Sequence, residues 1–537
     1  MLNKESKKNL NSVLDVAYNY AARNGFKLII ALVLLGFLAT LILRIVLIFT
    51  FIPDLGGVES NVIYSIQRIL DGYPLYMDPS SPPYSITQYT PIYYFIIYGF
   101  GRLFQIGAND VESVYVLSRS VSLIFNLGFA YLSALIFGNI FKGNRWMSVV
   151  VFAFAFVFLD EESYSRPDSL YNLMVMATIY VILLFLREDV KPKKERFLIL
   201  ASLLTIFTIY VKQSGIFLPV LLVFFVLVYC QNIRWTLISL GTMLASFTAL
   251  LFLFTGGNYV PFIQNVIEGV NNGISLRWFA ERILIEHFQK ERFVNIVGIS
   301  LAIYWLIKGE SQQLKFLGLA MLGSFMFAVI TGVKIGAAPN YFTEFIALTI
   351  IATLVFLQKY DKLFYQEKTS LQESPENFKI LFYLVLVGMT LLPRLAGKVD
   401  TEIIKAQPHI LGSEGYQKNK AIADYMYNEQ NIKPGEQVFI TTHVHDYLNK
   451  FMYRNAIFPQ KEIVYRNPEE VFDYSEFKED LQNGDVKYII ASVAEGNIVT
   501  ENSEIVISED FLSADYSNYA PIKEMNGYVI FKSKAAL

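Results

Sequence analysis

The stretch FIPDLGGVESNVIYSIQRILDGYPLY, residues 51–76, places two carboxylates, Asp54 and Glu59, directly after a long apolar run. A second acidic stretch, LDEESYSRPDSLY, holds Asp160, Glu161, Glu162, Arg166 and Asp168 within nine residues. Arg119 lies near one end of another apolar run, Lys212 and Gln213 sit between two more, and Lys334, Asn340, Tyr341 and Glu344 follow a further one. A carboxylate in a partly dry site can take a proton from a hydroxyl. Arg and Lys at the same depth can hold a phosphate. Asp54, Glu59 and Asp168 are therefore candidates for proton transfer. Arg119, Arg166, Lys212 and Lys334 are candidates for phosphate binding, and Gln213, Asn340, Tyr341 and Glu344 for substrate contact. An acid that deprotonates an alcohol, beside bases that hold a phosphorylated leaving group, is the minimum apparatus for group transfer from a lipid phosphate.

Each residue also has a plain structural role open to it. Glu59 suits a solvated helix face, Asp168 a helix cap after RPDS, Lys212 a snorkelling lysine and Arg119 an internal ion-pair partner for a loop acid. Asp160, Glu161 and Glu162 read as a solvated rim, with Asp160 a further candidate acid. His443 and His445 in TTHVHDY share a strand face, but no third ligand is evident, so no metal site is assigned.

The elements that must position these residues are membrane spans. The chain has 537 residues, 54% of them apolar, 15% aromatic and only 17% charged. Apolar runs fall near 28–52, 89–106, 115–138, 147–159, 169–186, 197–211, 214–230, 235–254, 293–307, 315–331, 342–358 and 379–396. Several reach the roughly 17 to 25 residues that cross a bilayer as helix. A net charge of −2 implies no nucleic-acid partner, and the single Cys230 excludes an internal disulfide and a cysteine metal cluster.

The run YTPIYYFIIYGFGRLFQIG decides which loops share a side. If it lies on the membrane surface rather than crossing, the basic stretches FKGNRW, REDVKPKKER, QNIRW, KGESQQLK and QKYDKLFYQEK all fall on the side of the basic N-terminal arm. That distribution predicts about eleven spans, N-terminus cytoplasmic and C-terminus outside, in the plasma membrane. The candidate residues then all face out. After about residue 398 strand-length apolar runs (QVFITT, KEIVY, KYIIAS, GYVIFKS) alternate with an amphipathic helix, YQKNKAIADYMYNEQ. The reading is an arm over 1–27, a transmembrane region over 28–397 with a first outer loop over 53–114 carrying juxtamembrane helices, and an extracytoplasmic domain over 398–537. The fold class is an all-α polytopic membrane protein with a small C-terminal α/β domain.

PDLGGVESNVIYSIQRILDGYPLYMDPSSPPYSITQYTPIYYF resembles the first outer loop of the GT-C glycosyltransferases, the group that includes protein O-mannosyltransferases and the lipid A aminoarabinose transferase. SRPDSLY, VKQSG and GAAPNYFTE are similar to later outer-loop signatures of a bacterial branch. The resemblance covers about residues 28 to 360. It implies a GT-C-like fold, a polyprenyl-phosphate sugar donor, a glycan, lipid or protein acceptor, and transfer on the extracytoplasmic face. It requires no cofactor, although some relatives use a divalent metal. Many relatives carry adjacent Asp-Glu where this chain has Val58 and Glu59; Asp54 lies four residues earlier and is the favoured base, with Glu59 second. Two other classes compete: a transporter or flippase of lipid-linked glycans, which should place charges mid-span and show repeated halves, and a non-catalytic envelope assembly protein.

Overall fold

The computed structural model describes residues 27–50, 55, 58–159, 164–187, 193–360, 414–440, 447–457, 471–494, 497–498 and 518–536. The candidates Asp54, Asp160, Glu161, Glu162, His443 and His445 lie outside these residues, as do the apolar run 379–396 and the stretch KEIVY.

Six helices are long and apolar enough to cross a membrane: α1 (Lys27–Ile48), α4 (Val111–Leu135, continued to Ile140 by a π-helical turn), α6 (Pro167–Phe185), α9 (Ile233–Thr255), α12 (Gln312–Thr331) and α13 (Thr343–Tyr360, entered through a 3₁₀ turn from Pro339). The chain is an integral membrane protein. Helices α5 (Arg145–Val157), α7 (Lys194–Val211), α8 (Phe217–Val228) and α11 (Arg292–Lys308) run between them. Ten of the eleven apolar runs expected to span thus fall on described helices, six of them long and apolar enough to cross.

Polar caps set several boundaries: Asp110 accepts from Ser113 N at 3.0 Å, Asn144 from Trp146 N at 2.8 Å and Ser311 from Leu314 N at 3.3 Å. Helix α6 packs on α4 and α7, while α11, α12 and α13 form a second group joined to the first through α5 and α8. Close approach is built in. A Cβ on Gly298 of α11 would sit 2.4 Å from Phe345 and Thr349 of α13, so only glycine fits that crossing.

The loops at one end of the bundle gather around ion pairs and polar contacts: Arg234–Glu195 at 2.8 Å, Lys359–Glu310 at 2.8 Å, and Gln358 Nε2 to Lys142 O at 3.1 Å. These belong to the basic loops. The candidate functional residues lie at the opposite end.

The first loop between α1 and α4 holds α2 (Glu59–Leu70) and α3 (Ile92–Leu103). The latter has 12 residues, about 18 Å, well short of a hydrocarbon core. Its inward face buries Ile92, Tyr93, Tyr94 and Ile97, while Phe100 and Leu103 stay exposed. Helix α2 departs from its expected form. Its sequence shows one apolar and one polar face, which suggests a solvated polar side, yet all 12 residues are buried. The polar face is covered because the start of α4 and the C-terminal domain both pack on it.

That domain contains α14 (Glu414–Asn428), β1 (Val438–Ile440), α15 (Leu448–Phe451), β2 (Ala456–Ile457), α16 (Ser475–Asn483), β3 (Tyr488–Ala494), β4 (Asn497–Ile498), β5 (Tyr519–Met525) and β6 (Tyr528–Ser533). The sheet order is β2-β1-β3-β6-β5, with β1 parallel to β2 and β3 and the β3–β6 and β6–β5 pairs antiparallel; β4 pairs off the path with β3. One face packs on Ile422 and Met426 of α14 and Leu448 of α15. The other packs on Phe477 and Leu481 of α16 together with Tyr84 and Ile86, which arrive from the first loop. The first loop thus completes the core of the C-terminal domain. Polar contacts reinforce the joint: Arg454 Nε and Nη2 to the Asp71 carboxylate at 2.6 and 2.5 Å, Tyr453 OH to Asn109 Oδ1 at 3.1 Å, Gln67 Nε2 to Lys450 O at 3.0 Å, and the buried Lys450 ammonium to Ser60 Oγ.

Candidate active site

Two buried ionic centres lie at this end of the bundle. The first joins Glu59, the first residue of α2, to Arg119, two turns into α4. Arg119 Nε donates to Glu59 Oε1 at 2.8 Å and Nη2 to Oε2 at 2.9 Å, with both side chains fully buried. Arg119 Nη1 also donates to Leu47 O at 3.1 Å and Thr50 O at 2.7 Å, satisfying carbonyls at the C-terminal end of α1. Leu55 N donates to Glu59 Oε2 at 2.8 Å. Burial works against the Glu59 charge, but the Arg119 charge and hydrogen bonds and the Leu55 N–H outweigh it, and the carboxyl sits below its ordinary range. A carboxylate held this way is a weak base.

The second centre is Asp168. It is the second residue of α6, so its charge lies at the favourable positive end of that helix. Lys212 follows the last residue of α7, where a cation is favoured. The antiparallel α6 and α7 bring the two together, and Lys212 Nζ donates to Asp168 Oδ1 at 2.7 Å. Asn340, in the 3₁₀ turn Pro339–Phe342, donates Nδ2 to the same oxygen at 2.7 Å. Arg166 Nε lies 3.3 Å from Asp168 Oδ2, and its Nη2 donates to Tyr89 OH at 3.2 Å. Three tyrosine rings enclose the ammonium: Tyr341 at 5.1 Å, Tyr171 at 5.6 Å and Tyr89 at 6.0 Å from Lys212 Nζ. Glu344, in the first turn of α13, is buried nearby, and its Oε1 has no hydrogen-bond partner among the described residues.

A chain of hydroxyls runs from the sequence neighbour of Asp168 to the sequence neighbour of Arg119. Ser169 Oγ donates to Ser122 Oγ at 3.1 Å, and Tyr93 OH bonds Ser122 and Ser118 at 2.9 and 3.0 Å.

The structure therefore brings Asp168, Arg166, Lys212, Asn340 and Tyr341 into one cluster with Glu344 beside it, and pairs Glu59 with Arg119 in another. Gln213 is adjacent but turned to scaffolding: its Nε2 donates to Gln88 O at 2.6 Å and Val266 O at 3.1 Å. Lys334 lies in the loop before Asn340 and pairs with Ile274 in an isolated antiparallel bridge. Sequence reasoning passed over Tyr89, Tyr171 and the serine chain. Tyr171 was reachable, since it sits three residues after Asp168 on one helix face. Tyr89 was not, because only the folded first loop carries it to Arg166.

The donor set is informative about metals. Asp168 stands between two cations and an amide donor, surroundings that repel a divalent ion and do not fit one. Among the described residues no three His, Cys, Asp or Glu side chains converge.

No protein-family model and no curated protein matches the chain. Solved structures do. ArnT from Cupriavidus metallidurans bound to undecaprenyl phosphate superposes with a TM-score of 0.55 at 14% identity, covering 94% of this chain and 97% of that one. The oligosaccharyltransferase of Archaeoglobus fulgidus in its apo form gives a TM-score of 0.54 at 14% identity, over 86% of this chain and 69% of that one. The mycobacterial arabinofuranosyltransferase AftD gives 0.50 at 10% identity, over 94% of this chain and 40% of that one. At such identities the likeness is one of fold, and by that measure the chain is GT-C-like: it has the fold of the GT-C glycosyltransferases.

Proposed function

We propose that this chain is a membrane glycosyltransferase that passes a sugar from a polyprenyl-phosphate donor to a hydroxyl of a cell-envelope acceptor on the extracytoplasmic face. One observation carries the reading. Two buried cations, Arg166 and Lys212, meet at one end of the spans on the Asp168 carboxylate, which also takes the Asn340 amide, and three tyrosine rings surround Lys212. Such an arrangement suits a tetrahedral anion brought in on a lipid. Two proteins of this fold support it, since ArnT was solved with undecaprenyl phosphate and AglB with dolichol phosphate.

In this reading Asp168 holds the two cations in register until a phosphate shares them, and Asn340 orients the carboxylate. The acceptor oxygen attacks the anomeric carbon, the bond from that carbon to the phosphate oxygen breaks, and the lipid phosphate leaves with the electron pair. A single displacement inverts the anomeric configuration. The acceptor proton goes to a carboxylate. Glu59 is poorly suited to receive it, because Arg119 engages both of its oxygens. Asp54, at the head of the first loop, is assigned that role, and the Arg119–Glu59 pair is assigned to holding the loop. Lys334 keeps only a peripheral part in the phosphate site.

The test is binding of undecaprenyl phosphate to the purified chain in nanodiscs, read by native mass spectrometry. Each charged phosphate contact is worth about 1.5–3 kcal/mol, so Arg166→Ala and Lys212→Ala should each weaken binding about tenfold or more. Unchanged affinity in both variants overturns the assignment.

A further inference from the structure

Residues 256–291 connect α9 to α11 at the end of the bundle that holds the Asp168 cluster. The segment contains a short helix, α10 (Val260–Val266), and a π-helical stretch, Phe279–His287. Its tip is apolar and bare: Ile274 is 78% exposed and Leu276 76%. These are large side chains to leave in water. The neighbouring Ile267 and Ile285 are also exposed. The charged residues here neutralise one another along the helix, Arg277 with Glu281 at 2.9 Å and Arg282 with Glu286 at 3.2 Å.

The tip is braced rather than loose. Ser275 N donates to Val333 O at 2.9 Å, Ile335 N to Gly273 O at 3.1 Å, and Trp278 Nε1 to Ala337 O at 2.9 Å. Ala337 lies three residues before Asn340, whose amide holds Asp168. On the other flank Asn265 accepts from Thr87 N at 2.7 Å and donates to Met77 O at 2.7 Å, fastening the segment to the first loop just before Tyr89. The tip is therefore rigidly tied to both walls of the cationic site.

What covers the apolar tip follows from continuity. The helices that flank it in the chain are apolar and exposed at the ends next to it, α9 at Phe252 and Leu253 and α11 at Phe293 and Ile296. We infer that residues 274–278 insert into the outer leaflet, with Ile274 and Leu276 among the acyl chains just below the headgroups and the Arg277–Glu281 pair at headgroup level. Through its ties to Ala337 and Asn340, the tip sets the depth of Arg166 and Lys212 at the plane of the lipid phosphates. This second clause rests on the donor reading above; the insertion itself does not.

The depth test uses the full chain in nanodiscs with Cys230→Ser and a nitroxide on Ile274→Cys. Power saturation should show the label more accessible to oxygen than to a nickel chelate, while a label on Glu281→Cys shows the reverse. An Ile274 label that favours the nickel chelate overturns the insertion. The coupling test uses Ile274→Glu with Leu276→Glu. Undecaprenyl phosphate affinity should fall about tenfold in nanodiscs and stay within twofold for a ten-carbon prenyl phosphate in detergent. An unchanged nanodisc affinity, or equal losses in both media, overturns the coupling. If wild type binds neither phosphate, the donor reading fails while the nitroxide result still decides the insertion.

Discussion

The sharpest quantitative expectation concerns Arg119 and Glu59. Glu59→Gln removes the carboxylate but keeps its size. The guanidinium then loses the Glu59 charge while fully buried, and the amide NH₂ faces Arg119 donors across about the same 2.8 Å gap. Removing one partner of a buried pair costs about 3–5 kcal/mol. Arg119→Met removes more, because it strands the Glu59 charge and takes from Thr50 O the donor it has now, at about 1–3 kcal/mol for that group, while Leu47 O keeps Thr50 N and Oγ1. The double variant removes both charges of the pair. Its loss should fall short of the sum of the singles by about 1–3 kcal/mol, the coupling expected of residues in direct contact. The assay is reversible unfolding in mixed detergent micelles, read at matched lipid content.

The sign of the pH dependence follows from the depressed Glu59 carboxyl. Its contribution is fully present above the ordinary carboxylate value of about 4.3 and is lost only as pH falls through the lower folded-state value. Stability should therefore be indifferent to this pair between pH 5 and 8 and decline below about pH 4. One result refutes the reasoning. If Glu59→Gln unfolds within about 0.5 kcal/mol of wild type yet abolishes transfer, Glu59 works in the chemistry and not in holding the loop.

Three further expectations can be checked. Asp54→Asn should leave undecaprenyl phosphate binding near wild type while transfer drops about 10²- to 10⁴-fold; undiminished transfer would place the base elsewhere. A cysteine at Ser163 should react with an impermeant thiol reagent in intact cells, and one at Lys193 should not; the reverse pattern would invert the topology. Arg454 hydrogen bonding, against modest burial, holds the Asp71 carboxyl below its usual range, so that contact is present above the ordinary carboxylate value and lost as pH falls through the lower one. Asp71→Asn should loosen the C-terminal domain by about 1 kcal/mol at pH 7, seen as faster hydrogen exchange over 448–457, and equal protection in both proteins would show that the pair does not contribute.

The parts of the fold legible from sequence were those fixed by solvent. Apolar run length pointed to the six helices that are long and apolar enough to cross a membrane, an argument that needs no partner. The polar face of α2 was misjudged because its cover, α15 and the start of α4, comes from up to 390 residues away in sequence. Strand β5 was passed over because Pro521 and a register shift before Lys523 break its alternation, as suits an edge strand. The two residues of β2 are too few to show any period. At the site, Asp168, Lys212 and Asn340 were legible as residue types recurring at one depth. Their convergence on one carboxylate oxygen was not, since that depends on how α6, α7 and α13 are packed.

Helix α4 links the two centres. Tyr115, Ser118, Arg119 and Ser122 recur at helical spacing on it and meet, in turn, the C-terminal domain, the first loop, α1 and α6. Arg119 fixes where the first loop leaves α1. Three residues on, Ser122 reaches Ser169, which neighbours Asp168. A displacement of α4 that keeps Arg119 on Glu59 must therefore also move Ser122 against the Asp168 cluster. Because packed helices shift as units rather than bending continuously, the start of α2, which Glu59 ties to α4, and the cluster that holds the proposed phosphate keep a fixed separation. In-line displacement needs such a separation, since attacking oxygen, anomeric carbon and leaving phosphate oxygen must stay on one axis while both ends are held by different parts of the chain.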